Sequence, residues 1–116
     1  MSPSLSDYLD HILKEIEFID KEVAKLTYNE FVSDEKTKRA IIRSLEIIGE
    51  AAKRIPSSFR RKFSAVPWKS ISGMRDRLIH GDFIIDYDII WDVISNKLEI
   101  LRNTIETMRN DSEADV

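Results

Sequence analysis

From Leu5 to Met108 the apolar residues return at every third or fourth position, and only three glycines and three prolines interrupt the chain. That spacing is the period of an α-helix; a half-buried strand would need strict alternation. So few turn-forming residues also argue against a turn-rich sheet protein. Leu5, Leu9, Ile12, Ile16, Ile19, Val23 and Leu26 form a first stripe, on a helix starting near Ser4 or Ser6. Residues 27–33 break the pattern and offer caps at Asn29 and Ser33. A second helix is predicted over 34–54, with Ile41, Leu45, Ile48, Ala52 and Ile55 on its buried side. Gly49 sits inside that helix. It costs up to about 1 kcal/mol there relative to alanine, and close helix packing is the usual reason to accept it.

Pro56 ends the second helix, and Ser57 can cap a short one running through Arg60, Arg61 and Lys62. Pro67 occupies the first turn of a third long helix, whose stripe is Trp68, Ile71, Met74 and Leu78. Trp68 reads as a core anchor rather than a base-stacking platform, because it falls on that stripe. His80 lies on the last turn, and Gly81 suits the left-handed position just past the helix end. Residues 83–85 make an apolar loop. Asp86 then caps the last helix, with Asp88 favourable beside its dipole. Ile90, Ile94, Leu98, Leu101, Ile105 and Met108 are its stripe, with Trp91 packed beside it, and residues 110–116 form a frayed acidic tail. The expected fold is all-α, an antiparallel bundle of four main helices plus a short connecting helix, in one domain over residues 1–116.

Composition removes several function classes. There is no cysteine, hence neither a disulfide framework nor a thiolate metal site. Two histidines far apart in sequence give no metal-ligand cluster, so no metal or cofactor is expected. His11 falls off the first stripe and reads as a surface residue without a role. No basic stretch followed by an apolar run marks a signal peptide, and no apolar run reaches a membrane span, so a cytoplasmic protein without membrane contact is expected.

The chemistry concentrates in residues 68–82. An imidazole can give or take a proton near neutral pH, and the forked guanidinium of Arg75 matches phosphate oxygens. Asp76 lies four residues before His80, on nearly the same face, where it could orient the ring. Arg75 lies five residues before it, about 140° round an ideal helix; a long side chain, or a second subunit, could close that angle. These are parts for phosphodiester cleavage without a metal. The plainer reading is that His80 caps a helix C-terminus and the arginines are solvated. Glu46 and Glu50, one turn apart, read as a salt-bridged surface pair rather than catalytic carboxylates.

Charge is unevenly spread. The net charge of −3 argues against a general nucleic-acid coat. Yet residues 53–77 carry eight basic side chains (Lys53, Arg54, Arg60, Arg61, Lys62, Lys69, Arg75 and Arg77) against Asp76 alone, while the flanks are acidic. A basic block leading into a candidate phosphodiester site reads as an electrostatic footprint for RNA.

The string Pro67-Trp68 through Ile71-Ser72-Gly73-Met74-Arg75-Asp76-Arg77-Leu78-Ile79-His80-Gly81 contains Arg-x4-His and resembles the HepT-like branch of the HEPN superfamily. So do the upstream block from Leu45 to Ala52 and the downstream pair Ile90-Trp91; the likeness runs from about Leu5 to Leu101. The resemblance implies an all-helical homodimer with two motifs facing each other across a shared groove. It also implies an RNase toxin encoded beside an antitoxin of the minimal nucleotidyltransferase type, MntA. On that reading His80 moves protons, Arg75 stabilises the phosphorane-like charge, Asp76 orients its neighbours, and Arg77, Lys69, Arg60, Arg61 and Lys62 bind RNA. One departure stands out. The branch usually carries, two residues after the histidine, a tyrosine that the antitoxin adenylylates, and here that position is Asp82. Two other classes use the same surface: a non-catalytic module binding a nucleotide or partner, and a structural dimer subunit that only engages a nucleotidyltransferase.

Overall fold

The computed structural model describes residues 4–79 and 85–114, and among them every regular element is a helix. Helix α1 (Leu5–Val23) begins at a capping box, in which the Asp7 amide donates to Ser4 Oγ at 3.2 Å and the Ser4 amide donates to Asp7 Oδ2 at 2.9 Å. The stretch expected to break the pattern forms a second, short helix, α2 (Tyr28–Ser33). Its cap is Thr27, not Asn29: Thr27 and Glu30 make a reciprocal box at 3.1 and 3.2 Å. Nor does Ser33 start the next helix. Asp34 caps α3 (Glu35–Arg54) by accepting from the Thr37 amide at 3.0 Å and its hydroxyl at 2.7 Å, while the Ser33 hydroxyl donates back to the Asn29 carbonyl. A carboxylate at this position also meets the positive end of the helix.

Helix α4 (Ser57–Lys62) starts from Pro56 without a side-chain cap, so Ser57 is its first residue rather than its cap. Helix α5 (Trp68–Ile79) follows directly after Pro67. Asp86 caps α6 (Tyr87–Asp92), accepting from the Asp88 and Ile89 amides. The last stripe was expected on one regular helix. Instead α6 passes into a π-helical segment (Val93–Lys97) and then α7 (Leu98–Ala114), with helical backbone angles at both junctions. The stripe gives the reason. Ile90, Ile94 and Leu98 are all buried and step by four twice in succession, which on an ideal α-helix carries a stripe about 80° round the axis. A wider turn takes up that drift and keeps all three facing the core.

Helix α3 packs against both α1 and α5, and α7 packs against α1. Asp20 pairs with Arg102 and Asp10 with Arg109, so α1 and α7 run antiparallel. Leu9, Ile12, Ile16, Ile19, Ile41, Leu45, Ile48, Leu101, Ile105 and Met108 are fully buried between these helices. The predicted stripes are therefore the core. Trp68 anchors α5 in it, 7% exposed, with Nε1 donating to the Phe63 carbonyl at 3.0 Å. Among the described residues the short helices α2 and α4 stand between the long ones. None of the described helices is long and apolar enough to cross a membrane.

Candidate active site on α3 and α5

The site starts from a missing side chain. A Cβ built on Gly49 would lie 2.2 Å from Arg75 Cβ, 3.0 Å from its Cγ and 3.2 Å from the Ile71 carbonyl oxygen. No real Cβ tolerates the first of these distances, so α5 reaches its place against α3 only because residue 49 is glycine. That contact seats the stem of Arg75 on α3.

The next residue takes the head group. Arg75 Nη2 lies 2.9 Å from Glu50 Oε2, and Nη1 donates to Asp76 Oδ1 at 2.9 Å. Each carboxylate is shared with a further cation. Arg54 donates to Glu50 Oε1 from Nε at 3.3 Å and from Nη2 at 3.1 Å. Lys53 Nζ donates to both oxygens of Asp76, at 2.9 and 3.2 Å. The result is a chain, Arg54–Glu50–Arg75–Asp76–Lys53, of three cations and two anions. It retains one positive charge, and the side chain of its central arginine is 21% exposed. Arg75 Nε is buried and has no acceptor among the described residues. Lys53 first, then Arg75, hold the Asp76 carboxyl below its ordinary pKa, against a smaller opposing effect of desolvation.

Asp76, expected to serve the imidazole one turn on, has Lys53 and Arg75 as its partners among the described residues. His80, Gly81, Asp82 and the loop residues Phe83 and Ile84 lie outside the described residues. Glu50 is the residue that sequence reasoning set aside. Glu46 does behave as expected, pairing with Arg43 at 3.1 Å, but Glu50 turns to the motif helix. A contact between positions 50 and 75 is tertiary and leaves no local sequence signal; the one hint was glycine beside an acid in the middle of a helix.

The basic block divides. Lys53, Arg54 and Arg75 are tied into the chain just described, and Lys62 pairs with Asp111 on α7 at 3.3 Å. Arg61, Lys69 and Arg77 are exposed, Arg60 is half-buried with Nε lacking an acceptor, and none of these four has an ion-pair partner among the described residues. Arg77 also lines a groove of about 680 Å³ between α5 and the α6–π stretch, with Met74, Leu78, Ile89, Val93 and Lys97.

Arg75, the first residue of Arg-x4-His, is thus fixed on α5 between Glu50 and Asp76. Residues 12–108 match the family described as Ribonuclease HepT-like. This chain belongs to the HepT-like ribonuclease family. It is 48% identical over 99 residues to "Putative RNase TTE0752" of Caldanaerobacter subterraneus subsp. tengcongensis, covering 85% of this chain and 88% of that protein. It is 42% identical over 111 residues to "Putative RNase MJ0127" of Methanocaldococcus jannaschii, covering 96% and 88%. It is 38% identical over 109 residues to "Probable ribonuclease HepT" of Thermococcus cleftensis, covering 94% and 99%. No solved structure matches the chain significantly. The HepT-like assignment and the names of these relatives support a ribonuclease-type activity at the level of the family.

Proposed function

We propose that this HepT-like chain, taken as one domain over residues 1–116, is a metal-independent endoribonuclease and the toxin of a toxin–antitoxin pair. The observation that carries the reading is the Arg75 guanidinium, fixed between Glu50 and Asp76 at 2.9 Å from each while its ion-pair chain keeps a net positive charge. A phosphate needs such a group most when it passes through a five-coordinate, more highly charged state. Attack of a ribose 2′-oxygen on the adjacent phosphorus forms a 2′,3′-cyclic phosphate and expels the 5′-oxygen of the next nucleotide. One group must take the 2′ proton and another must give a proton to the leaving oxygen. His80 is assigned to that work. A homodimer supplies two such histidines across a two-fold axis, one for each proton. Arg75 stabilises the charge on phosphorus and Asp76 positions it. Arg77, Lys69, Arg60, Arg61 and Lys62 hold the RNA backbone.

Asp82 stands where the branch carries its modifiable tyrosine. A carboxylate cannot be adenylylated as a phenol is, and it places a permanent negative charge near the phosphate site. On this reading an MntA-like antitoxin acts by binding or on another residue, and Asp82→Tyr gains modification by nucleotidyltransferase and ATP. Tyr87, five residues on, is a poor substitute target. Its ring lies under Lys38 Nζ at 4.7 Å and edge-on to Phe31.

The deciding experiment incubates the protein with total and transfer RNA in EDTA, beside His80→Ala. Cleavage that survives EDTA and vanishes in the variant supports the enzyme. RNA or nucleotide binding without cleavage selects the non-catalytic module.

A further inference from the structure

The carboxylate of Glu50 has two partners on different helices: Arg54, one turn further along α3, and Arg75 on α5. The first is an ordinary surface pair. The second fastens the head of the one arginine assigned to the phosphate, and it comes from the residue next to the glycine that admits the stem. Gly49 and Glu50 thus act on the two ends of one side chain. A free arginine has several rotatable bonds, and in this site Asp76 alone, its sequence neighbour, would hold only one corner of the fork. With Glu50 on Nη2 and Asp76 on Nη1 the guanidinium plane is fixed at two corners, and Nε is turned into the protein. Five N–H groups make the fork. Nη1 donates one to Asp76, Nη2 ion-pairs with Glu50 and Nε is buried, so the remaining Nη hydrogens are left for phosphate oxygens.

We infer that Glu50 is a positioning residue, resting on the ribonuclease reading, that holds Arg75 in the orientation which meets the phosphate. It moves no proton and does not touch RNA. Its worth lies in alignment, and misplacement of a catalytic group by about 1 Å can cost on the order of 10²-fold in rate. Glutamine at this position keeps an oxygen that can accept from Nη2, whereas alanine keeps nothing.

The test compares wild type, Glu50→Ala and Glu50→Gln by steady-state RNA cleavage and by nitrogen–proton NMR of the Arg75 Nε–H group, assigned with Arg75→Lys. Expected is a drop in kcat of roughly 10–100-fold for Glu50→Ala with KM within about twofold. Its Nε–H signal should broaden or shift, while Glu50→Gln keeps both the signal and most of kcat. A merely structural Glu50 would lower thermal stability and leave kcat per folded molecule alone, which overturns the inference. An inactive Glu50→Gln protein with an unchanged Arg75 signal would also overturn it, making Glu50 a proton carrier. If the wild type cleaves no RNA, the ribonuclease reading falls; the NMR comparison still decides whether Glu50 holds Arg75, and an Arg75 signal indifferent to Glu50→Ala refutes that too.

Discussion

Two cations on this molecule sit at helix junctions, and the protein treats them differently. Lys38 on α3 is only 8% exposed. It pairs with Glu35 at 2.8 Å, lies over the Tyr87 ring at 4.7 Å, and so joins a cluster in which Phe31, Tyr28 and Trp91 pack edge-on or tilted. One cation meets one anion and one ring, and the lysine side chain itself is only 10% exposed. Glu35 raises the lysine pKa more than burial lowers it, which favours the charged form. Arg75 also lies between helices, yet its carboxylates are each shared with another cation, its side chain is 21% exposed, and one positive charge is left over. Both sites fasten helices. Only the second keeps a net positive charge among its paired groups. A charged side chain at a helix junction is thus read by the sum of its neighbours' charges, not by whether it has a partner.

The largest expected effect breaks the open side of this comparison. Arg75→Ala and His80→Ala should each lower RNA cleavage by about 10²–10⁴-fold and relieve growth arrest, with helicity by circular dichroism unchanged. Equal toxicity from either variant would remove that residue from the reaction. Phe31→Ala strikes the closed side. Phe31 is fully buried, and truncating such a ring typically costs about 3–5 kcal/mol. Denaturant unfolding should show that loss, with cleavage per folded molecule intact; a loss of activity beyond the unfolded fraction would mean the two sites are coupled. Gly49→Ala lies between them, because its clash is with Arg75 itself. Overpacking of this kind costs about 1–3 kcal/mol, and here cleavage should fall as well, since the arginine stem is displaced.

The smallest effect is a pH dependence. Asp76 has its pKa depressed by Lys53 and Arg75. The stability it contributes is therefore fully present above its ordinary value of 3.8 and lost as pH falls through the lower, folded-state value. The group is exposed, so the effect is small and screened by salt. Asp76→Asn should lower stability slightly at pH 7 and low salt and flatten the acid limb below about pH 4, where the two proteins converge. An unaltered acid limb would mean that the ion-pair chain does not persist in solution.

The elements that sequence revealed are those governed by local rules. Ser4 and Asp86 are caps because a short polar side chain precedes an apolar period, and the four long stripes became the core. Thr27 obeyed the same rule, with Glu30 three residues on; it was passed over because a six-residue helix has too few turns to show a period. The π-helical segment was out of reach for another reason. Spacing by four is compatible with either turn width until the neighbouring helices fix which side must be buried. In the candidate site, Arg75 and Asp76 were found through their motif, and Glu50 and Lys53 were not, since their partners stand 25 and 23 residues away.

The contact at Gly49 carries one more consequence, for how this gene can vary. The obstructing atom is the Cβ of residue 75, which every amino acid except glycine possesses. Trimming Arg75 to alanine therefore frees no room at position 49, and Arg75→Ala should not rescue Gly49→Ala. In a library randomised at both positions and screened only for folded protein, position 75 would drift widely while position 49 stayed glycine. Screened for toxicity, the same library would return arginine at 75 as well. If Arg75 serves the proposed cleavage, the first position answers to assembly and the second to chemistry, and a double screen would tell the two kinds of constraint apart at neighbouring atoms.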